Sequence, residues 1–145
     1  MASRIRANAE GKLTNETLGN GLVTTSVYES ASGRLQTILS GGGGSVQYLK
    51  YDFDALGNLE RREDQARGSS ETFGYDALNR LTETNTVAGG AAAPQSIGYD
   101  ALGNITNKTD MGAYAYDPVR PHVVTRAGEH SYVHDANGNM VSGAG

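Results

Sequence analysis

A seven-residue string comes back three times along this chain, and it limits the fold more sharply than any other feature. It reads Phe53-Asp54-Ala55-Leu56-Gly57-Asn58-Leu59, then Tyr75-Asp76-Ala77-Leu78-Asn79-Arg80-Leu81, then Tyr99-Asp100-Ala101-Leu102-Gly103-Asn104-Ile105. Recurrence at roughly 20–25 residues marks one small unit that is stacked many times. Aligned on the acid, the series extends to Tyr28-Glu29 with Gly33, to Tyr116-Asp117, and to His134-Asp135 with Gly138 and Met140. The acids at 29, 54, 76, 100, 117 and 135 stand 25, 22, 24, 17 and 18 residues apart. Ala9-Glu10-Gly11-Lys12-Leu13 is a weaker start of the same kind. A repeat array points to architecture and surface before it points to a catalytic pocket.

Each unit reads as a β-hairpin. A large residue lies two positions before the aromatic, as Tyr51 does before Phe53 and Phe73 before Tyr75. That alternation puts both rings on one face of a strand. An acid, two permissive residues and then Gly suit a type I turn closed by a bulge. The carboxylate can accept the backbone N–H two residues on. Asn79 stands where Gly57 and Gly103 stand, which suits a site of positive φ. Leu59, Leu81, Ile105 and Met140 then return an apolar side chain opposite the aromatic. Turns are expected near 29–33, 54–57, 76–79, 100–103, 117–120 and 135–138, and variable connections near 40–46 and 87–96. The whole chain, 1–145, reads as a partial array of about six repeats. The fold class is all-β: tandem antiparallel hairpins in one curved or spiralling sheet. No segment sustains an apolar period of 3.6 residues between caps, so no helix is expected.

Composition narrows the function classes. Glycine supplies 20 of 145 residues and the apolar fraction is 37%, which together describe a turn-rich protein with a thin core. The net charge of −4 is scattered, without the basic stripe that nucleic-acid binding needs. No apolar run is long enough for a membrane-spanning helix. The start, Met1-Ala2-Ser3-Arg4-Ile5-Arg6, lacks the apolar stretch of a signal peptide, so no targeting signal is read. Without cysteine there are neither disulfides nor thiolate metal sites. Asp135-Ala136-Asn137-Gly138-Asn139 alternates oxygen donors as a calcium loop does, but its Gly falls at the fourth place rather than the sixth. His122, His130 and His134 fit no zinc spacing, and His134 takes an aromatic position in its repeat. No Gly-x-Ser-x-Gly elbow is present for nucleophilic catalysis. No catalytic residue, metal or cofactor is therefore assigned, and the acids are read as turn formers.

The strings Tyr75-Asp76-Ala77-Leu78-Asn79-Arg80-Leu81 and Tyr99-Asp100-Ala101-Leu102-Gly103-Asn104-Ile105 resemble the YD repeats of RHS proteins, also found in Tc toxin C components and teneurins. Thr17-Leu18-Gly19-Asn20-Gly21-Leu22 and Pro121-His122-Val123-Val124-Thr125 are similar to bacterial RHS sequence outside the core motif. The resemblance runs from about Ala9 to Gly145. It implies hairpins joined edge to edge into a hollow shell that encloses a C-terminal toxin domain, and a secreted or cell-surface parent protein. It implies a non-enzymatic role. The aspartyl self-cleavage region of the bacterial proteins has no counterpart here, since Asp117-Pro118-Val119-Arg120 lacks its signature. The chain accordingly reads as a natural or excised piece of a longer array. Expected partners are neighbouring RHS repeats or a second copy paired through exposed strand edges, and an enclosed toxin domain. The alternative is a carbohydrate- or cell-surface-binding module that stacks sugars on exposed tyrosines. Locked as they are to the strand before each turn, the tyrosines are first read as a ladder between hairpins, with their hydroxyls at the wet rim.

Overall fold

The computed structural model describes residues 4–143. Its organising element is one thirteen-stranded sheet in which every strand pairs with its neighbours in sequence. The strands are β1 (Arg4–Ala7), β2 (Leu13–Thr17), β3 (Val23–Tyr28), β4 (Leu35–Ser40), β5 (Gln47–Phe53), β6 (Leu59–Asp64), β7 (Ser69–Tyr75), β8 (Leu81–Ala88), β9 (Ala91–Tyr99), β10 (Ile105–Lys108), β11 (Gly112–Tyr116), β12 (Val124–Ala127) and β13 (His130–Ser131). A separate hairpin follows, β14 (Val133–His134) with β15 (Met140–Ser142). All pairings are antiparallel and the sheet does not close on itself. At ~4.8 Å per strand spacing the ribbon runs about 58 Å along its hydrogen-bonding direction.

Strict up-and-down order sorts the turns onto two long margins. One margin carries the acid-led turns after β3, β5, β7, β9 and β11 and an Asn8-led turn after β1, and the other carries the glycine-rich returns. Each acid-led turn is followed by a bulge. The register slips between Val27 and Tyr28, Asp52 and Phe53, Gly74 and Tyr75, and again beside Tyr99 and Tyr116. A bulge bends its strand and sharpens the twist, so repetition on one margin curls the ribbon in one sense. Past the bulge the aromatic meets the apolar residue that closes the turn: Phe53 with Leu59, Tyr75 with Leu81, Tyr99 with Ile105, His134 with Met140.

The expected loop near 87–96 is corrected. Those residues are strand: β8 runs to Ala88, Gly89 and Gly90 make the turn at φ 58° and 81°, and β9 begins at Ala91. Two successive positive-φ residues suit a tight hairpin turn. Pro94 fits because β10 pairs only as far as Ile97, leaving that side of β9 without a neighbour. The connection after Ser40 is two overlapping tight turns, Gly44 N–H on Gly41 O and Ser45 N–H on Gly42 O, kinked at Gly43 with φ 63°.

A single layer has almost no interior. Among the described residues, Ala127 is the buried apolar side chain, joined by Ser40 and Asn104. The accessible surface is 9423 Å². A compact protein of this mass would show roughly 7,100 Å². What holds the sheet must therefore lie in its strand ladders and at its margins.

Candidate functional site

Five turns share one carboxylate geometry. Asp54 Oδ1 accepts the N–H groups of Leu56, Gly57 and Asn58 at 2.9, 2.7 and 2.8 Å. Asp76 and Asp100 repeat the first and last of these bonds on Leu78 and Arg80, and on Leu102 and Asn104. Asp117 takes Val119 and Arg120, and Asp135 takes Asn137 and Asn139. Each turn also closes through its backbone, as Gly57 N–H does on Asp54 O at 3.1 Å and Asp54 N–H on Asn58 O at 2.9 Å. These bonds favour the ionised acid. The Asn58, Asn104 and Asn139 side chains lead in holding Asp54, Asp100 and Asp135 below the usual carboxylate range. For Asp76 and Asp117 the leading cause is the backbone N–H of Arg80 and of Arg120.

Two members differ. Glu29 carries one methylene more; its carboxylate takes the Ser32 hydroxyl, and its turn is one residue longer, closing on Arg34. Asn8, which the sequence reading passed over, builds a turn like those of the aspartates. Its Oδ1 accepts from Glu10 and Lys12 N–H at 3.1 and 2.9 Å. Gly57, Gly103 and Gly138 adopt φ of 98°, 89° and 84°, and Asn79 substitutes at 59°.

The residue that ends each turn reaches back and forward. Asn58, Arg80, Asn104 and Asn139 bond back to Oδ2 of their own Asp at 2.9, 2.7, 2.9 and 3.0 Å. Forward, Lys12 Nζ donates to Gly33 O at 2.8 Å, Arg34 Nη1 to Asp54 O at 3.2 Å and Arg80 Nη1 to Asp100 O at 3.3 Å. Asn58 Nδ2 donates to Asn79 Oδ1 at 2.9 Å, Asn104 Nδ2 to Pro121 O at 3.0 Å and Arg120 Nη1 to Asp135 O at 2.8 Å. Every acid-led turn is thus tied to the next. Three of these cations also lie over the next aromatic, Arg80 4.6 Å from the Tyr99 centroid, Lys12 5.6 Å from Tyr28 and Arg34 5.8 Å from Phe53. The sequence reading named the acid, the glycine and the apolar residue but missed this position. The available signal was the recurrence of Lys, Arg or Asn just before Leu13, Leu35, Leu59, Leu81 and Ile105.

The tyrosines reach the other way. Tyr28, Tyr75, Tyr99 and Tyr116 donate their hydroxyls to the carbonyls of Leu13, Leu59, Leu81 and Ile105 at 3.0, 2.9, 2.9 and 2.9 Å. Between successive hairpins the backbone ladder stops short of the margin, with Arg61–Thr72 and Glu83–Ser96 as its last pairs. The hydroxyl supplies the donor that the splayed strands no longer provide. Burial is the first cause that raises the Tyr75 and Tyr116 phenols above their ordinary value. The hydroxyls expected at the wet rim are in these four repeats engaged on protein. Phe53 and His134 occupy the same position without a phenol to donate.

The opposite face holds a shallow groove of about 560 Å³ across β7, β8 and β9. Thr72, Gly74, Glu83, Asn85, Ser96 and Thr109 are among the residues that line it. Asn85 Oδ1 is buried there without a hydrogen-bond partner among the described residues. No three His, Asp or Glu side chains among the described residues stand close enough to hold a metal ion. No described helix is long and apolar enough to cross a membrane.

Comparison with known proteins places this geometry. Residues 53–91 match the RHS repeat family. The match opens at the Phe53-Asp54 turn, includes the Asp76 turn, and ends just past the Gly89-Gly90 corner. The crystal structure of TcdB2-TccC3-Cdc42 is similar over 94% of this chain and 9% of that one, with a TM-score of 0.67 and 16% identity. The Photorhabdus luminescens Tc holotoxin pore gives 94% and 9%, a TM-score of 0.65 and 15% identity. The crystal structure of TcdB2-TccC3 gives 94% and 10%, with 0.64 and 15%. The chain thus spans about a tenth of the length of these solved structures. No curated protein matches. Residues 53–91 are thus similar to an RHS repeat, and the chain shares its fold with a stretch of the Tc toxin structures.

Proposed function

We propose that this chain is a structural, non-enzymatic segment of an RHS-type toxin shell, one stretch of the wall around a C-terminal effector. The supporting observation is the chain of links along the acid-led margin. Each repeat carries a donor for the turn ahead and most carry a phenol for the hairpin behind, so the unit is built to be joined. A ribbon without an interior of its own fits a wall better than a free-standing catalyst. The test is a chimera in which residues 4–143 replace an equal length of repeat in a Tc shell protein. Protease resistance of the enclosed domain is the expected result; digestion of that domain inside a folded chimera overturns the reading.

A second reading, a sugar-binding surface, has one observation in its favour. The Tyr114 and Tyr51 phenols make no hydrogen bond within the described residues, unlike Tyr99, which is held by Leu81 O. A glycan array with Tyr114→Ala and Tyr99→Ala variants separates the two. Binding lost with Tyr114 and kept without the Tyr99 phenol supports the sugar reading; a blank array removes it.

A further inference from the structure

We propose that Asn20, in the turn between β2 and β3, is a site of spontaneous covalent modification, losing its side-chain amide to become aspartate or isoaspartate. Asn20 and Asn137 are the two asparagines that glycine follows. With no side chain on that next residue, its backbone nitrogen has an open approach to the asparagine Cγ. Both asparagines are exposed, and each precedes a glycine at φ 84°. The two turns thus share the reacting atoms and differ in what holds them.

Asn20 Oδ1 accepts the Leu22 N–H at 3.0 Å. That bond draws the carboxamide over its own peptide, toward the Gly21 nitrogen. It also sets a donor on the oxygen that turns negative as the nitrogen adds. The Gly21 N–H closes on a neutral acceptor, Leu18 O at 2.9 Å. Asn137 is placed otherwise. Its carboxamide makes no hydrogen bond within the described residues, although its N–H is held by Asp135. The Gly138 N–H closes on Asp135 O at 3.1 Å and also helps to hold the Asp135 carboxylate ionised. The attacking nitrogen must first lose its proton, and a carboxylate beside it opposes that ionisation.

The step balances with water alone. Hydroxide takes the Gly21 amide proton, and the nitrogen forms a bond to Asn20 Cγ. The Cγ–Nδ2 bond breaks, and Nδ2 takes a proton from water and leaves as ammonia. Water then opens the cyclic imide. Attack at the side-chain carbonyl gives aspartate, and attack at the main-chain carbonyl gives isoaspartate, with the backbone routed through Cβ. The sum is one water consumed and one ammonia released. An aspartate at this position still accepts the Leu22 N–H, now with charge assistance. Isoaspartate inserts a methylene between Leu18 and Leu22, whose backbones close the turn at 2.9 Å, and loosens the Thr17–Val23 pair beyond it. The chemistry holds whether or not the chain belongs to a shell.

The test is peptide mapping of the full chain held for weeks in mildly alkaline buffer, with electron-transfer fragmentation to separate isoaspartate from aspartate. In the folded protein Asn20 should convert about fivefold faster than Asn137, the factor that one modest hydrogen bond is worth. In urea the two rates should come together. Asp135→Asn removes the opposing charge and keeps an acceptor in the turn, as Asn8 does in its own. Asn137 should then convert faster, with Asn20 unchanged. Equal or reversed rates in the folded chain overturn the inference. So does an undiminished ratio in urea, which would assign the difference to adjacent residues rather than to the turns. An unchanged Asn137 rate in Asp135→Asn of native circular dichroism overturns it as well.

Discussion

The carbonyl of Leu59 lies where two hairpins part, and it accepts the Tyr75 phenol at 2.9 Å. Tyr75→Phe removes that donor and strands a half-buried acceptor, which should cost about 1 kcal/mol in urea-unfolding measurements. Phe53→Tyr is the reverse experiment. It offers a phenol to the Leu35 carbonyl one joint earlier, and an unfolding free energy raised by up to about 1 kcal/mol is expected. Acid should act through the turns. Asp54, Asp76, Asp100, Asp117 and Asp135 titrate lower folded than unfolded. Their contribution is therefore whole above the unfolded carboxylate value of about 3.9, and is lost as pH falls through the lower folded values. A denaturant series from pH 6 to 2 should show stability level at first and then falling below about pH 4. At the alkaline end, Tyr75 and Tyr116 titrate higher folded than unfolded. Stability from those phenols is complete below about pH 10 and declines above it.

At the level of the hairpin, what the sequence reveals depends on how local the determining physics is. Acid, two free positions, glycine and a returning apolar residue all act within one turn, so Asp54 to Leu59 can be read without a fold. Pairings of Tyr75 with Leu81 and Tyr99 with Ile105 follow directly from those turns. Residues 87–96 read as a variable connection, since their Gly, Ala and Pro are poor strand formers. Unbroken pairing with Glu83–Ala88 of β8 outweighs that preference, and Pro94 escapes penalty on an unneighboured side. The reach of Arg34, Arg80 and Arg120 to a turn 15–20 residues later was illegible, since it requires knowing which turns are adjacent. That reach also constrains glycine. A Cβ at Gly57 would stand 2.5 Å from Arg34 Nη2, at a φ of 98°. Gly57→Ala should therefore lower the melting temperature by several degrees, while Asn79→Gly should change it little, because relief of a side chain at φ 59° offsets loss of the exposed Asn58 link.

For the whole ribbon, stability is a sum of similar joints rather than the property of one core. Hydrogen exchange should accordingly fall off from the centre, with amides of β6 to β8 slowest, and β1 and β13 fastest. Uniform protection from Arg4 to Ser131 would mean instead that the sheet opens as one block. Thermal unfolding should be broad for the same reason, since end units can melt while central ones hold. Curvature accumulates similarly, one bulge at a time, so the radius of the arc depends on the turns and not on any packed layer beneath them. The forward and backward links have a final consequence for how such a molecule changes length. Five of the six forward links end on a backbone carbonyl, so a unit removed or duplicated in frame between them leaves a donor facing a suitable oxygen. Growth and shrinkage by whole repeats at such joints need no compensating substitutions, so the number of strands, and with it the arc the ribbon sweeps, is free to vary.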